Sequence, residues 1–211
     1  MSDLFLPVVI RKGPRDFHRP SLALAAQAMG KFWVETQTNA EWSDVVDKWA
    51  DERSVKIVRR ASGKKWDKVK EESAVSLETE YAGISIFLPS DRSSLSPLVS
   101  KLPIKGTDYN KMFYPHQSVT VDVPVLLLAE NPDLNLSTGK MVAQVGHAIQ
   151  YLYQDDPLRV KSWVETGAHT KFTAWRDILV DTSTVIVTDN GKTEVSSGTH
   201  TVKARLESID V

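Results

Sequence analysis

The chain has 211 residues, room for one large domain or two small ones, and its 41% hydrophobic and 25% charged residues exclude a largely disordered chain. A formal net charge of −1, from 26 Lys+Arg against 27 Asp+Glu, excludes a uniformly basic nucleic-acid binder, so any such surface must be local. The absence of cysteine excludes disulfide frameworks, thiolate metal sites and cysteine nucleophiles. The opening residues resemble no signal peptide, and the longest apolar run (123–129) is too short to cross a bilayer, so a soluble, cytoplasmic protein with no membrane partner is expected.

Residues 4–10 form an apolar run read as a buried strand. After a Pro/Arg loop over 13–20, an Ala-rich helix is predicted from 21 to about 34, with Ser21 as its N-cap. Over 41–50, Trp42, Val45, Val46 and Trp49 recur at helical spacing. A strand over 55–58, a short charged helix over 64–72 and a strand or hairpin over 75–88 follow. Residues 89–121 carry Pro89, Pro97, Pro103 and Pro115, which places a boundary there. The second half restarts with a strand over 121–129 and helices over 138–154 and 157–165. Strands over 171–175, 183–188 and 200–206 complete it, with the turn Asp189-Asn190-Gly191 before the last.

The halves can be overlaid. At an offset of 117, Pro7, Val8, Asp16, Ala26 and Gln27 fall on Pro124, Val125, Asp133, Ala143 and Gln144, and Trp49 meets Trp163 at an offset of 114. Strand, loop and helix recur in the same order. The expected fold is α/β, a tandem repeat of two small three-layer units, each a four-stranded, mostly mixed β-sheet flanked by helices. The units span 1–107 and 122–211, with a linker over 108–121.

Two polar constellations stand out. In 137–148, Lys140, Gln144 and His147 lie within about 60° of one another on a helix, apart from the apolar stripe of Met141, Val145, Ala148 and Leu152. Lys140 sits in the first turn, where a cation is unfavourable unless a bound anion compensates it. Gly139-Lys140 is not a P-loop, because Leu134 stands where its first glycine would be and Met141 where its hydroxyl would be. The second constellation runs from Thr188-Asp189 to Thr201, a carboxylate at the end of an apolar strand followed by a turn. By themselves these residues also fit a solvated helix face and an ordinary turn.

Together and in this order, Gly-Lys-x-x-Ala-Gln-x-x-His-Ala on a helix and Thr-Asp-x-Gly-x-Thr-x-x-x-x-Gly-Thr-x-Thr near the C-terminus resemble the type 2 peptidyl-tRNA hydrolases. The resemblance covers 122 to about 206, and the two-unit length is similar to that of actinobacterial homologues. It implies hydrolysis of the ester between a peptide and the 3′ ribose of tRNA by water, without metal or cofactor. It assigns catalysis to Lys140, Asp189, Thr193 and Thr201, and substrate contact to Gln144, His147 and Lys192. The five histidines (18, 116, 147, 169, 200) show no metal-ligand spacing. Asn190, Lys192, Ser197 and His200 depart from the family pattern, and the segment after Lys171 is short for its helix. The alternative is a catalytically silent tRNA- or protein-binding module that keeps the hydrolase frame.

The front half lacks counterparts of these residues: at the 117 offset Ala23 and Gly30 replace Lys140 and His147, and Thr79 falls near the aspartate. It is basic between 53 and 70, with eight cations in eighteen residues. Arg59, Arg60, Lys64, Lys65 and Lys68, with Trp66 among them, are the candidates for the tRNA backbone. The resembled family is commonly homodimeric, so the fused copy is expected to make the chain a monomeric pseudo-dimer, a homodimer being the alternative.

Overall fold

The computed structural model describes residues 4–52, 54–104, 107–111, 123–190 and 194–207. The front unit runs β1 (Leu6–Arg11), α1 (His18–Thr38), α2 (Ala40–Glu52), β2 (Lys56–Ala61), α3 (Lys64–Glu72), β3 (Val75–Thr79), β4 (Ala82–Ile86) and the single turn α4 (Pro97–Ser100). The back unit runs β5 (Val125–Glu130), α5 (Thr138–Asp155), α6 (Pro157–Glu165), β6 (Thr170–Phe172), a 3₁₀ turn (Trp175–Asp177), β7 (Val185–Asp189) and β8 (Thr199–Glu207). Their sheets have strand orders β2-β1-β4-β3 and β6-β5-β8-β7. In each, the first strand pairs in parallel with the second and antiparallel with the fourth, and the fourth pairs antiparallel with the third. The chain is therefore an α/β protein of two mixed, four-stranded sheets flanked by helices, a two-unit repeat.

Central β1 is almost wholly apolar because both its faces are covered. Leu6, Val8 and Ile10 face α1, while Val9 joins Trp66 and Val69 of α3 and Val99 and Leu102 on the outer side. The back unit replaces that outer helical layer with the segment around the 3₁₀ turn. There Lys203 of β8 donates to the carbonyls of Trp175 and Ile178, and Arg205 pairs with Asp181. The expected strand over 171–175 is correspondingly shorter.

One apolar cluster runs through both units, with α1 against α5 at its centre. His18 Nδ1 lies 2.8 Å from Thr138 Oγ1 at one end, and the Trp33 ring stacks on Tyr153, 5.1 Å between centroids, at the other. Both pairs are 120 residues apart, so the helices run parallel, the self-matching contact of a symmetric dimer built into one chain. The positions that are not buried agree: 20, 23, 27, 31 and 34 on α1 answer 140, 143, 147, 151 and 154 on α5. This corrects the register read from the identities. The helices overlay at 120, so Ala26 and Gln27 stand one helical turn from the counterparts of Ala143 and Gln144. Farther on, the match of Trp49 to Trp163 holds: their indoles donate to Val55 O (3.0 Å) and His169 O (2.9 Å). Ser54 and Ala168, the residues before those acceptors, share a left-handed φ of 48° and 51°.

Helix α1 starts three residues ahead of the predicted cap. Phe17 precedes its first residue, and Ser21, inside the first turn, donates its hydroxyl to Phe17 O. Pro20 is accommodated because the first helical N–H groups have no intrahelical acceptor. Gly30 permits a close approach of α1 to α6: a Cβ there would stand 2.8 Å from Trp163 and Val164 side-chain atoms. The start of the expected linker is packed, with Tyr109 buried and its N–H donating to Thr138 Oγ1. Residues 112–121 of that linker lie outside the described residues. Among the described residues no helix is long and apolar enough to cross a membrane.

Candidate active site

The N-terminal half of α5, the end of β7 and the edge strand β2 of the other unit enclose a cavity of about 1160 Å³. Lys140, Gln144 and His147 line it together, as their common helical stripe requires, with Asp189 facing them from β7 and Lys56 and Ile57 from β2. The Lys140 ammonium forms an ion pair with Asp189 Oδ2, and Gln144 Nε2 donates to the same oxygen at 2.7 Å. Asp189 is 4% exposed, so its carboxylate is held by charge and hydrogen bonds instead of water.

Thr201 takes its place through a bulge. In the β7–β8 register Val187 faces Val202 but Thr188 faces His200, so Thr201 is the extra residue. That irregularity turns its side chain toward α5, where Oγ1 donates to Gln144 Oε1 at 2.9 Å and lies 3.2 Å from Val187 O. The orientation of the Gln144 amide follows, because a carboxylate only accepts and must meet the NH₂ group. Thr201 is fully buried, is not among the residues that line the cavity, and meets Asp189 through Gln144.

The start of α5 is not open to an anion. Ser137 caps the helix by accepting from Lys140 N–H, while Glu194 accepts from the Ser137 N–H (2.8 Å) and hydroxyl, and Gly139 N–H donates to Thr107 O (3.1 Å). The cation in the first turn is offset by its ion pair with Asp189.

On the other side of His147, Lys56 Nζ approaches Nδ1 at 3.0 Å, donates to Gln150 Oε1 at 2.7 Å and lies 4.7 Å from the Trp49 ring centre. Gln150 in turn donates to Ser54 Oγ. Burial holds the Lys56 ammonium well below its ordinary range. Burial, then the Lys56 charge, then that of Lys140, hold His147 well below the ordinary imidazole value, so the ring is neutral.

Lys192 and Thr193 lie outside the described residues. Of the basic candidates, Arg59 is 8% exposed and its Nη1 donates to the carbonyls of Ser100 and Leu102. Trp66 is buried under α3 and cannot stack on a base, whereas Lys64, Lys65 and Lys68 are exposed and Arg60 is half-buried. In the front unit Pro20, Leu24 and Thr79 stand where the back unit has Lys140, Gln144 and Asp189.

Glu194, Thr107 and Lys56 are missed by the sequence reading. Glu194 lay inside a recognised motif, and only its contact with Ser137 distinguishes it. Lys56 reads as one more cation in a basic run, and no local pattern separates it from its exposed neighbours. Among the described residues no group of three or more His, Asp or Glu stands close enough to hold a metal ion. Comparison with family models, with curated proteins and with solved structures finds no match to this chain.

Proposed function

We propose that the chain is a peptidyl-tRNA hydrolase acting on the ester between a peptide and the 3′ ribose of tRNA. The observation that carries this reading is the Lys140–Asp189–Gln144–Thr201 chain of contacts in the wall of a cavity of about 1160 Å³. An ester needs an oriented water and a stabilised oxyanion more than a strong nucleophile. The Asp189 carboxylate accepts a proton from the attacking water as its oxygen bonds to the acyl carbon. Lys140, with three N–H donors, faces the developing oxyanion while keeping its contact with Asp189. The bond to the ribose oxygen breaks, and that oxygen leaves with the proton. Gln144 and Thr201 orient the carboxylate, and no step calls for a metal or cofactor.

The exposed Lys64, Lys65 and Lys68 of α3 supply contacts to the tRNA backbone, and the cytoplasm is the compartment of this substrate. The test is turnover of diacetyl-lysyl-tRNA by the purified chain. Asp189→Asn is expected to lower the rate by about 10²-fold or more; an undiminished rate refutes the assignment. A second reading, a silent binding module, is favoured by the 4% exposure of Asp189. It predicts tRNA binding without turnover in the same assay.

A further inference from the structure

The cavity's second wall comes from the unit that has lost the catalytic residues, and one of its side chains reaches into the partner unit's functional stripe. Lys56 Nζ contacts His147 Nδ1, across 91 positions of sequence, and Gln150 Oε1. Gln150 is held with that oxygen toward Lys56 by its own donation to Ser54. While Lys56 carries its proton it only donates, and it then faces a bare His147 Nδ1, which leaves the ring proton on Nε2. Among the described residues, no hydrogen bond to the His147 ring is made except this one at Nδ1. His147 lines the cavity, so its Nε2–H is presented to whatever occupies it.

We propose that Lys56, from the unit without catalytic residues, is a positioning residue that holds His147 as its Nε2–H tautomer, a neutral donor to a backbone carbonyl of the substrate's peptide. The spacing suits that ligand. His147 lies seven residues beyond Lys140, about 10 Å along the helix, the reach of about three extended residues. Ile57, Val58 and Ile104 line the same cavity, which suits an acyl chain better than phosphate. The burial that depresses the ammonium and the imidazole agrees with a pair that cannot both be charged. The identity of the ligand rests on the peptidyl-tRNA reading; the state of the ring does not.

Long-range nitrogen–proton NMR of His147 in the full chain tests the first part. The wild type is expected to show the pure Nε2–H tautomer near neutral pH, and Lys56→Met a mixture with the other forms. A wild-type ring protonated at Nδ1 overturns the proposal. Titration with N-acetyl-trialanine amide is expected to shift the Nε2–H signal, and an unmoved signal overturns the carbonyl contact.

In hydrolysis, KM for an N-acetyl-tripeptidyl-tRNA is expected to be about tenfold below that for an N-acetyl-aminoacyl-tRNA, the worth of one hydrogen bond. That ratio should collapse in Lys56→Met and His147→Asn and survive in His147→Gln, whose amide nitrogen takes the place of Nε2. Equal ratios in wild type and Lys56→Met overturn it. Should neither substrate be hydrolysed, the enzymatic reading fails, while the ring state and the tripeptide titration still decide this one.

Discussion

At Thr201 a single hydroxyl, buried and outside the cavity, orients the amide that orients the carboxylate. Thr201→Val keeps the shape and deletes the donor, leaving Gln144 Oε1 unpaired at a cost of about 1–3 kcal/mol. Turnover is expected to fall about tenfold through kcat with KM little changed; an unchanged kcat would mean that Gln144 holds Asp189 without this support. His147 carries a pH expectation. Its folded pKa lies below its unfolded value, so the unfolded state binds more protons and stability falls as pH drops through about 6.5. Urea melts from pH 8 to 5 should show a steeper loss in the wild type than in His147→Gln, and superimposable curves would contradict the burial of a neutral ring. The resemblance led to Lys140, Gln144, His147 and Asp189 because their spacing is local. It did not give the route by which Thr201 reaches Asp189, through the Gln144 amide, since the bulge that turns its side chain exists only in the paired sheet.

Helix α3 is the element whose two faces part most plainly. Trp66 and Val69 close the outer core, and Lys64, Lys65 and Lys68 point to solvent. Charge density alone could not distinguish Arg59, a few residues earlier, which is buried and whose Nη1 donates to two carbonyls. If α3 meets the tRNA backbone, replacing the three lysines by glutamine is expected to lower the salt slope of tRNA binding by about 0.7–0.9 per lost phosphate contact. A slope equal to the wild type's would remove α3 from the interface. Most elements were legible in sequence, α3 and α6 to their first and last residues, because amphipathic periodicity is a local property. The start of α1 was missed because Ser21 has the chemistry of a cap but sits within the first turn.

Across the whole molecule the two units share one core, and α5 gives α1 the face that a symmetric dimer would give its copy. Residues 122–211 expressed alone would expose that face, including Val142, Ile149 and Tyr153. They are expected to self-associate, seen as a dimer or larger by light scattering, while the full chain stays monomeric. A monomeric, cooperatively folding 122–211 would show that the shared core is dispensable.

By itself the sequence determined the order of strands and helices, the duplication and the stripe of Lys140, Gln144 and His147, because hydrophobic period and residue spacing are written over a few turns of chain. The tertiary structure alone decided the helix register of 120, the hold of Glu194 on the Ser137 cap of α5, and the entry of Lys56 from the front unit into the cavity wall. Each depends on partners tens of residues or more apart in sequence, and their meeting is set by how two buried faces pack, not by any local pattern.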